Sequence, residues 1–149
     1  MRERSRRSRW DPQRLARPRR HRSRVTGLVL DAGAFIGLER RQEPVAALFE
    51  RARRRSVPLV TSAAVVGQVW RGTARQTPIA LALGWPTMSV ADLTHADGRL
   101  IGKLLAVTGG SDVVDAHIAV LARKRNWPVV TSDPEDLKQL DPTLTLHVV

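Results

Sequence analysis

The chain alternates short apolar runs with longer stretches in which apolar residues recur every three or four positions. The short runs predict strands, and the stretches between them predict amphipathic helices. The predicted strands are residues 26–31, 57–60, 87–90, 128–131 and 144–149. Strands that alternate with helices are typical of an α/β fold in which helices cover a parallel sheet. The pattern therefore predicts one three-layer α/β domain with a mostly parallel central sheet.

Capping and turn residues predict where the helices begin and end. Thr61 and Ser62 are placed to cap the helix after the second strand, and Ser111 to cap a helix that runs to Arg125. Residues 91–107 predict one long amphipathic helix. Its apolar positions, at helical spacing, are Leu93, Ala96, Leu100, Leu104 and Val107. A short helix is expected to begin at Pro134.

Aspartates recur where a strand ends or a helix begins. Asp31 follows the first strand, and Asp133 follows the fourth. Asp112 and Asp115 lie three residues apart at the start of a helix, which places them on one side of its first turns. In a parallel α/β sheet, the carboxyl ends of strands and the amino ends of helices lie at the same edge. We therefore expect these four carboxylates to gather at one edge of the sheet.

Clustered carboxylates repel one another and raise each other's pKa unless a cation compensates their charge. Hard divalent ions take oxygen ligands, so Mg²⁺ or Mn²⁺ suits such a cluster. A divalent ion that activates water for attack on a phosphodiester is the chemistry this arrangement serves best. A helix cap or a solvated loop end explains any one aspartate equally well. Several strand and helix ends that deliver aspartate to one edge favour a metal site.

Positive charge is concentrated at the start of the chain. The sequence has 25 Lys and Arg against 14 Asp and Glu. Eleven of these arginines lie in residues 1–24, which carry Glu3 and Asp11 as their acidic residues. This segment has almost no apolar residues, so we expect a disordered tail at residues 1–24 and a folded domain at residues 25–149. Two interpretations stay open: an RNA-binding arm, or a gene start placed too early, with Val25 as the true initiator.

Composition excludes several other classes. The sequence has no cysteine, which excludes disulfides and thiolate zinc sites. No apolar run approaches the roughly 20 residues of a membrane span. The Arg-rich start is not followed by the apolar segment of a secretory signal. We therefore expect a cytoplasmic protein without a membrane partner.

Four segments together resemble the successive motifs of PIN-domain ribonucleases, specifically the VapC toxins of bacterial toxin–antitoxin pairs. They are residues 28–34, 61–71, 111–116 and 130–134. The resemblance implies a PIN-like α/β/α domain, usually a homodimer, that cleaves structured RNA such as tRNA or rRNA with Mg²⁺. It also implies inhibition by a VapB-type antitoxin. By this resemblance Asp31, Asp115 and Asp133 are acidic metal ligands, and Thr131 is the hydroxyl residue beside them.

One position departs from the family pattern. The family usually has Glu on the helix after the second strand, whereas this chain has Gln68. Gln68 stays a candidate catalytic residue, since an amide oxygen can ligate the cation or hold a metal-bound water. It brings no charge, however, so Asp112 is expected to replace the missing carboxylate as a ligand. The alternative is a catalytically weakened PIN domain that acts as an RNA- or partner-binding module. Arg71, Arg53 and Arg54 are candidate RNA contacts, although a run of arginines is more often a solvated helix end.

Two other protein classes, one of phosphatases and one of signalling domains, fit the sequence less well. Haloacid-dehalogenase-like phosphatases need a second aspartate two residues after Asp31, and residue 33 is glycine. A phospho-receiver domain needs a lysine near its last strand, where Lys138 is poorly placed. His117 is expected to be packed or on the surface and not a base. The tryptophans are expected in the core or an interface; they are Trp70, Trp85 and Trp127.

Overall fold

The computed structural model describes residues 26–149, in which five strands form one sheet and seven α-helices surround it. The strands are β1 Leu28–Leu30, β2 Leu59–Ser62, β3 Met88–Ala91, β4 Val129–Thr131 and β5 Leu146–Val148. The helices are α1 Ala32–Glu39, α2 Glu43–Arg54, α3 Ala63–Val69, α4 Thr77–Leu83, α5 His95–Thr108, α6 Val113–Arg125 and α7 Pro134–Leu140. The predicted tail at residues 1–24 lies outside the described residues.

The sheet order is β3-β2-β1-β4-β5, and each of these neighbouring pairs is parallel. The chain first moves outward from β1 to β2 and β3, and then returns to add β4 and β5 on the other side of β1. The carboxyl ends of β1 and β4 therefore flank the point at which the direction of winding reverses. Such a point is where open α/β sheets bind ligands. The predicted three-layer α/β fold with a mostly parallel sheet is confirmed.

The core lies between the central strands and the helices on either face. Val29, Leu30 and Val130 are completely buried. On one face Phe49 contacts both Phe35 and Trp85, with ring centroids 6.1 Å apart in each pair. On the other face α6 buries seven consecutive residues, Ala116–Ala122. A helix buried nearly all round is one that neighbours cover on several sides.

His117 of α6 is buried, which confirms that it is a packed residue. Its Nδ1 lies 2.6 Å from Ser62 Oγ at the end of β2. The same hydroxyl oxygen accepts a hydrogen bond from Ala64 N, so its proton is available to donate to the imidazole. Burial lowers the pKa of His117, which keeps the ring neutral. This contact joins the start of α3 to the centre of α6.

The prediction of a helix over residues 91–107 is wrong about where the helix begins and about which of its residues are buried. β3 continues to Ala91, and α5 begins at His95 because Thr94 and Asp97 form a reciprocal capping box. Asp97 and Ile101 face the interior, since Lys124 of α6 donates a hydrogen bond to Asp97. Several of the predicted apolar positions are instead exposed: Leu93 by 39%, Leu100 by 46% and Val107 by 87%.

Trp70 does not lie in the core, because 40% of the residue is exposed at the end of α3. A place in an interface stays a prediction for this residue. Trp85 and Trp127 pack against the core as partly buried residues. Within residues 26–149 no single helix has the length and apolar character needed to cross a membrane. The bent pair formed by α5 and α6 meets these criteria only when the two helices are counted together.

Candidate active site

Asp31 lies directly after β1 and caps the start of α1. Its Oδ1 accepts a hydrogen bond from Ala32 N at 2.7 Å, and its Oδ2 accepts one from Thr131 Oγ1 at 2.9 Å. Asp31 is 6% exposed, and burial raises its pKa, with further contributions from the charges of Asp112 and Asp133. Asp31 is therefore a buried carboxylate held by two hydrogen bonds, and the charges of other aspartates raise its pKa. It is the first member of the predicted cluster.

Thr131 at the end of β4 connects two of the aspartates. While its hydroxyl donates to Asp31, the same oxygen accepts a hydrogen bond from Asp133 N at 3.0 Å. Thr131 is completely buried, so this arrangement is shielded from water. The hydroxyl therefore fixes the backbone of Asp133 relative to the carboxylate of Asp31, across one hundred residues of sequence.

Gly33 allows α1 to start close to the end of β4. A Cβ atom at this position would lie 2.1 Å from Ser132 Oγ and 2.8 Å from Ser132 N. These distances are far below van der Waals contact, so a side chain at residue 33 does not fit. The small residue lets Asp31 and Asp133 leave their strands side by side.

Asp112, and not Ser111 as predicted, caps α6. Gly109 ends α5 in the left-handed conformation with a φ of 71°. The chain then turns so that Asp112 Oδ1 accepts hydrogen bonds from Val114 N at 2.8 Å and Asp115 N at 2.9 Å. One carboxylate oxygen of Asp112 is thus engaged by the helix end, and the other stays available for a ligand.

Asp115 is half-buried in the first turn of α6, and its pKa is raised to about 7. The largest cause is burial, followed by the negative charges of the neighbouring aspartates Asp112, Asp31, Asp136 and Asp133. The structure therefore brings together the four predicted aspartates, closely enough for their charges to act on one another. Carboxylates that raise one another's pKa in this way are a common feature of functional sites.

Asp136 is a member of this cluster that sequence reasoning missed. It lies in the first turn of α7 and borders a cavity of about 280 Å³ together with Asp112 and Asp115. Its position three residues after Asp133 was the available signal, since residues three apart share one side of a helix. Helix α7 thus adds a carboxylate from a fourth element, beside α6 and the ends of β1 and β4.

The donor set fits a divalent cation. Every candidate ligand is a carboxylate oxygen, the kind that Mg²⁺ and Mn²⁺ prefer. Within residues 26–149, none of the salt bridges involves any of the five clustered aspartates. In the same range no group of three or more acidic or histidine side chains is arranged so that it could hold a metal ion. The negative charge of the carboxylates is therefore not compensated by a basic side chain, and metal binding at this cluster stays a prediction.

No hydrogen bond or salt bridge among residues 26–149 joins Gln68 or Arg71 to this cluster. Gln68 is exposed in the last turn of α3, six residues past the cap and so about 9 Å along the helix axis. No hydrogen bond in the described part of the chain joins it to an aspartate. The Arg71 guanidinium donates to Trp70 O at 2.7 Å and Gly67 O at 3.3 Å, which closes the end of α3.

Arg53 and Arg54 lie at the opposite edge of the sheet from the aspartates. They end α2, which leads into the start of β2, whereas Asp31 follows the end of the parallel strand β1. Both arginines form salt bridges with Glu50, at 3.1 Å and 2.9 Å. A role of these two residues in RNA binding stays a prediction, but they do not border the carboxylates.

Comparison with known proteins matches residues 28–141 to the family model described as PIN domain. These residues contain β1 through α7 and all five clustered aspartates. No curated protein matches the chain at a significant level.

Several solved structures are similar in fold. One is VapBC2 from Rickettsia felis bound to a DNA fragment from their promoter, with a TM-score of 0.62 and 17% identity over 82% of this chain and 98% of that chain. DNA-bound VapBC from Salmonella typhimurium matches with a TM-score of 0.57 and 18% identity, covering 83% and 98% of the two chains. FitAcB from Neisseria gonorrhoeae matches with 0.56 and 15%, covering 80% and 95%.

Proposed function

The chain belongs to the PIN domain family, and on this basis we propose that it is a Mg²⁺- or Mn²⁺-dependent endoribonuclease of the VapC toxin type. The observation that carries the proposal is the group of aspartates at the carboxyl edge of the sheet, with the pKa of Asp115 raised to about 7. Aspartates held this close repel one another. Such an arrangement is expected where a cation binds and offsets the repulsion.

Asp31, Asp115 and Asp133 would hold the cation, with Asp112 supplying charge in place of the glutamate that is absent at position 68. A divalent ion bound there would activate water and offset negative charge on a phosphoryl group. Thr131 keeps the Asp31 carboxylate oriented by its hydrogen bond. A cation bound there would hold Asp115 in its charged form, because a carboxylate ligand must be deprotonated, so the pKa of about 7 belongs to the protein without metal.

The alternative function is a weakened PIN domain that binds RNA or a partner without efficient cleavage. The observation that favours it is the exposed amide of Gln68, which brings no negative charge to the group of aspartates. The two functions differ in metal-dependent turnover and not in fold.

Cleavage of total RNA by the purified chain, with Mg²⁺ or Mn²⁺ and with EDTA, separates these functions. We expect discrete fragments with metal and none with EDTA. Asp31→Asn, Asp115→Asn and Asp133→Asn are each expected to lower the rate by at least 10²-fold, because each removes a charged ligand. Exposed Asp92→Asn is the control and should cleave normally. Full activity in any of the three variants would remove that residue from the site, and no metal-dependent cleavage would favour the alternative.

We also propose a VapB-type antitoxin as the partner, as the resemblance to VapC toxins implies. The similar solved structures include VapBC and FitAB assemblies. An apolar groove of about 380 Å³ between α1, α2 and α4 suits an amphipathic helix. Its lining includes Leu38, Phe49, Pro78, Leu81 and Trp85. Leu81 is 64% exposed, so its burial by a partner would remove apolar surface from water.

Co-expression with the product of the reading frame next to the gene tests this partner. The wild-type pair is expected to co-purify and to lose ribonuclease activity. Leu81→Asp should prevent both effects, whereas Leu100→Asp, at an exposed leucine outside the groove, should prevent neither. Equal effects of the two substitutions would contradict the groove as the binding surface. The homodimer and the cytoplasmic location stay predictions.

A further inference from the structure

The edge of the sheet at which the strands begin collects basic residues from two helices. Helix α2 ends in Arg51, Arg53 and Arg54, followed by Arg55, and α6 ends in Arg123, Lys124 and Arg125. Leu28 N donates to Pro58 O, and Val29 N donates to Pro128 O, so both helix ends lead to strands that start beside β1. The connection from β1 to β2 contains α2, and the connection from β3 to β4 contains α6. These two connections run in opposite directions across the sheet. Because such connections are right-handed, α2 and α6 lie on opposite faces of the sheet.

Part of this positive charge is already compensated. Arg53 and Arg54 pair with Glu50, Arg123 pairs with Asp141, and Lys124 pairs with Asp97. The remaining three cations have no carboxylate partner among residues 26–149. They are Arg51, Arg55 and Arg125, all exposed, and we call them the basic edge.

Arg51 and Arg55 are four residues apart at the carboxyl end of α2, so their side chains start from the same side of the helix end. Like charges at this spacing repel, while cations in the last turn of a helix interact favourably with its dipole. The two arginines line a cavity of about 300 Å³ together with Leu28, Val57 and His147. Cationic side chains around a recess are suited to bind an anionic group.

Arg125 extends the basic edge on the other face. Its guanidinium lies over the Trp127 ring, 5.0 Å from the centroid, which fixes its position. The Trp127 ring and Pro58 O also enclose Gly27, since a Cβ there would lie 2.5 Å from each. Thr26 therefore joins the domain between the two basic helix ends. The eleven arginines of residues 1–24 precede it in the sequence.

We infer that the basic edge is an RNA-binding surface separate from the candidate active site, and this rests on the proposed RNA substrate. The carboxylate edge repels a polyanion, so most of the affinity for RNA must come from other parts of the surface. The strands of three or four residues separate the two edges by only about 13 Å plus the flanking loops. An RNA longer than the few nucleotides at the cleavage site can contact both edges.

The inference is tested by binding without cleavage. Affinity of the full chain for a fluorescein-labelled hairpin RNA is measured by anisotropy in EDTA, between 50 and 200 mM KCl. Arg51→Ala with Arg55→Ala is expected to weaken binding at least tenfold and to lower the slope of log K against log salt by about 1.8, at roughly 0.9 per phosphate contact. Arg51→Lys with Arg55→Lys should recover much of the affinity, since the charge is kept.

The matched control is Arg99→Ala with Lys103→Ala. These two cations are also exposed and one turn apart, but they lie on α5. Their removal lowers the net charge equally and is expected to change the affinity less than twofold. Equal weakening in the two double variants would overturn the basic edge as a specific surface. Tighter binding of a duplex DNA of the same length, with the same dependence on Arg51 and Arg55, would overturn RNA as the partner.

This test and the cleavage test fail independently. If Asp31→Asn abolishes cleavage while the Arg51 and Arg55 variants bind RNA normally, only the inference about the basic edge is wrong. If those variants lose RNA affinity while the wild type shows no metal-dependent cleavage, only the proposed nuclease function is wrong. Melting temperatures of the arginine variants should match the wild type, because the side chains are exposed.

Discussion

At the scale of single residues, Asp115 combines burial with repulsion. Its carboxyl group is half-buried among four other aspartates, so its charged form is disfavoured until a cation is present. The pKa in the unfolded chain is near 3.8, and in the folded chain it is about 7. Between these pH values the folded state binds more protons than the unfolded state, so the free energy of unfolding falls as pH rises.

A pH titration of stability checks this coupling in metal-free buffer. The raised pKa corresponds to roughly 4 kcal/mol, which partial contact with solvent reduces to about 2 kcal/mol. At pH 8 the free energy of unfolding of Asp115→Asn should therefore exceed that of the wild type by about 2 kcal/mol. The two proteins should converge below about pH 4, where the carboxyl is protonated in both states. Urea denaturation at pH 4, 6 and 8 measures the difference, and a wild-type stability independent of pH would contradict it.

Asp112 has two roles that substitutions can separate. Asparagine caps a helix as well as aspartate does, so Asp112→Asn removes only the charge, while Asp112→Ala also costs about 1 kcal/mol of capping. If Asp112 replaces the missing glutamate, both variants should lose nearly as much cleavage activity as Asp115→Asn, and only Asp112→Ala should be less stable.

The link between Asp112 and position 68 is measured by a double-mutant cycle on Mn²⁺ affinity. Gln68→Glu should restore the affinity lost in Asp112→Asn, and it should add little in the wild-type background, where Asp112 already supplies the charge. Strictly additive effects would mean that the two positions do not act on the same ion. The hypothesis that Asp112 replaces the missing glutamate would then have to be abandoned.

At the scale of elements, the site depends on how closely α1 approaches the end of β4. Gly33 and Ser132 make this contact, and Thr131 locks it by bonding to Asp31 and to the backbone of Asp133. The elements that carry these residues are rigid, so a small displacement of α1 separates the two carboxylates. Catalytic geometry of this kind tolerates little displacement.

Gly33→Ala is expected to lower the free energy of unfolding by about 1–3 kcal/mol, because the new methyl group forces α1 away from β4. The Mn²⁺ affinity should fall in parallel. Gly102→Ala on α5 is the control, since a Cβ there meets no atom within 4 Å. That variant should gain about 0.5–1 kcal/mol from helix propensity. Chemical denaturation and metal titration of both variants would measure these effects, and a fully stable Gly33→Ala would contradict the close approach.

At the scale of the whole molecule, charge is sorted between the two edges of the sheet. The aspartates gather where the strands end, and uncompensated arginines gather where they begin. The Arg-rich residues 1–24 precede Thr26 in the sequence, and their structure lies outside the described residues. The inferred RNA-binding surface and the candidate active site therefore lie at opposite edges of the sheet.

Deletion of residues 1–24 distinguishes the two interpretations of the arginine-rich segment. If it is an RNA-binding arm, the chain starting at Val25 should bind RNA more weakly and with a flatter salt dependence, because up to eleven phosphate contacts are lost. If the gene start is misplaced, RNA cleavage and antitoxin binding should be unchanged by the deletion. Amino-terminal sequencing of the native protein shows which chain the cell makes.

The sequence by itself determined the order of strands and helices and the placing of aspartates at their ends. Both follow from local patterns: apolar periodicity reports which positions are buried, and a polar residue after a buried strand must lie at a sheet edge. Asp31, Asp112, Asp115 and Asp133 were predicted to gather for this reason, and their coupled charges agree with it. The roles of these residues as ligands stay a prediction.

Only the tertiary structure decided which residues of α5 are buried and which residue caps α6. The apolar positions of α5 fit a helix, but its buried residues are Asp97 and Ile101, and Asp97 pairs with Lys124 of α6. Asp136 joined the site, and Arg53 and Arg54 were placed away from it, because the sheet order sets which helix ends meet. Contacts and charge coupling between residues far apart in sequence depend on packing, which no local pattern contains.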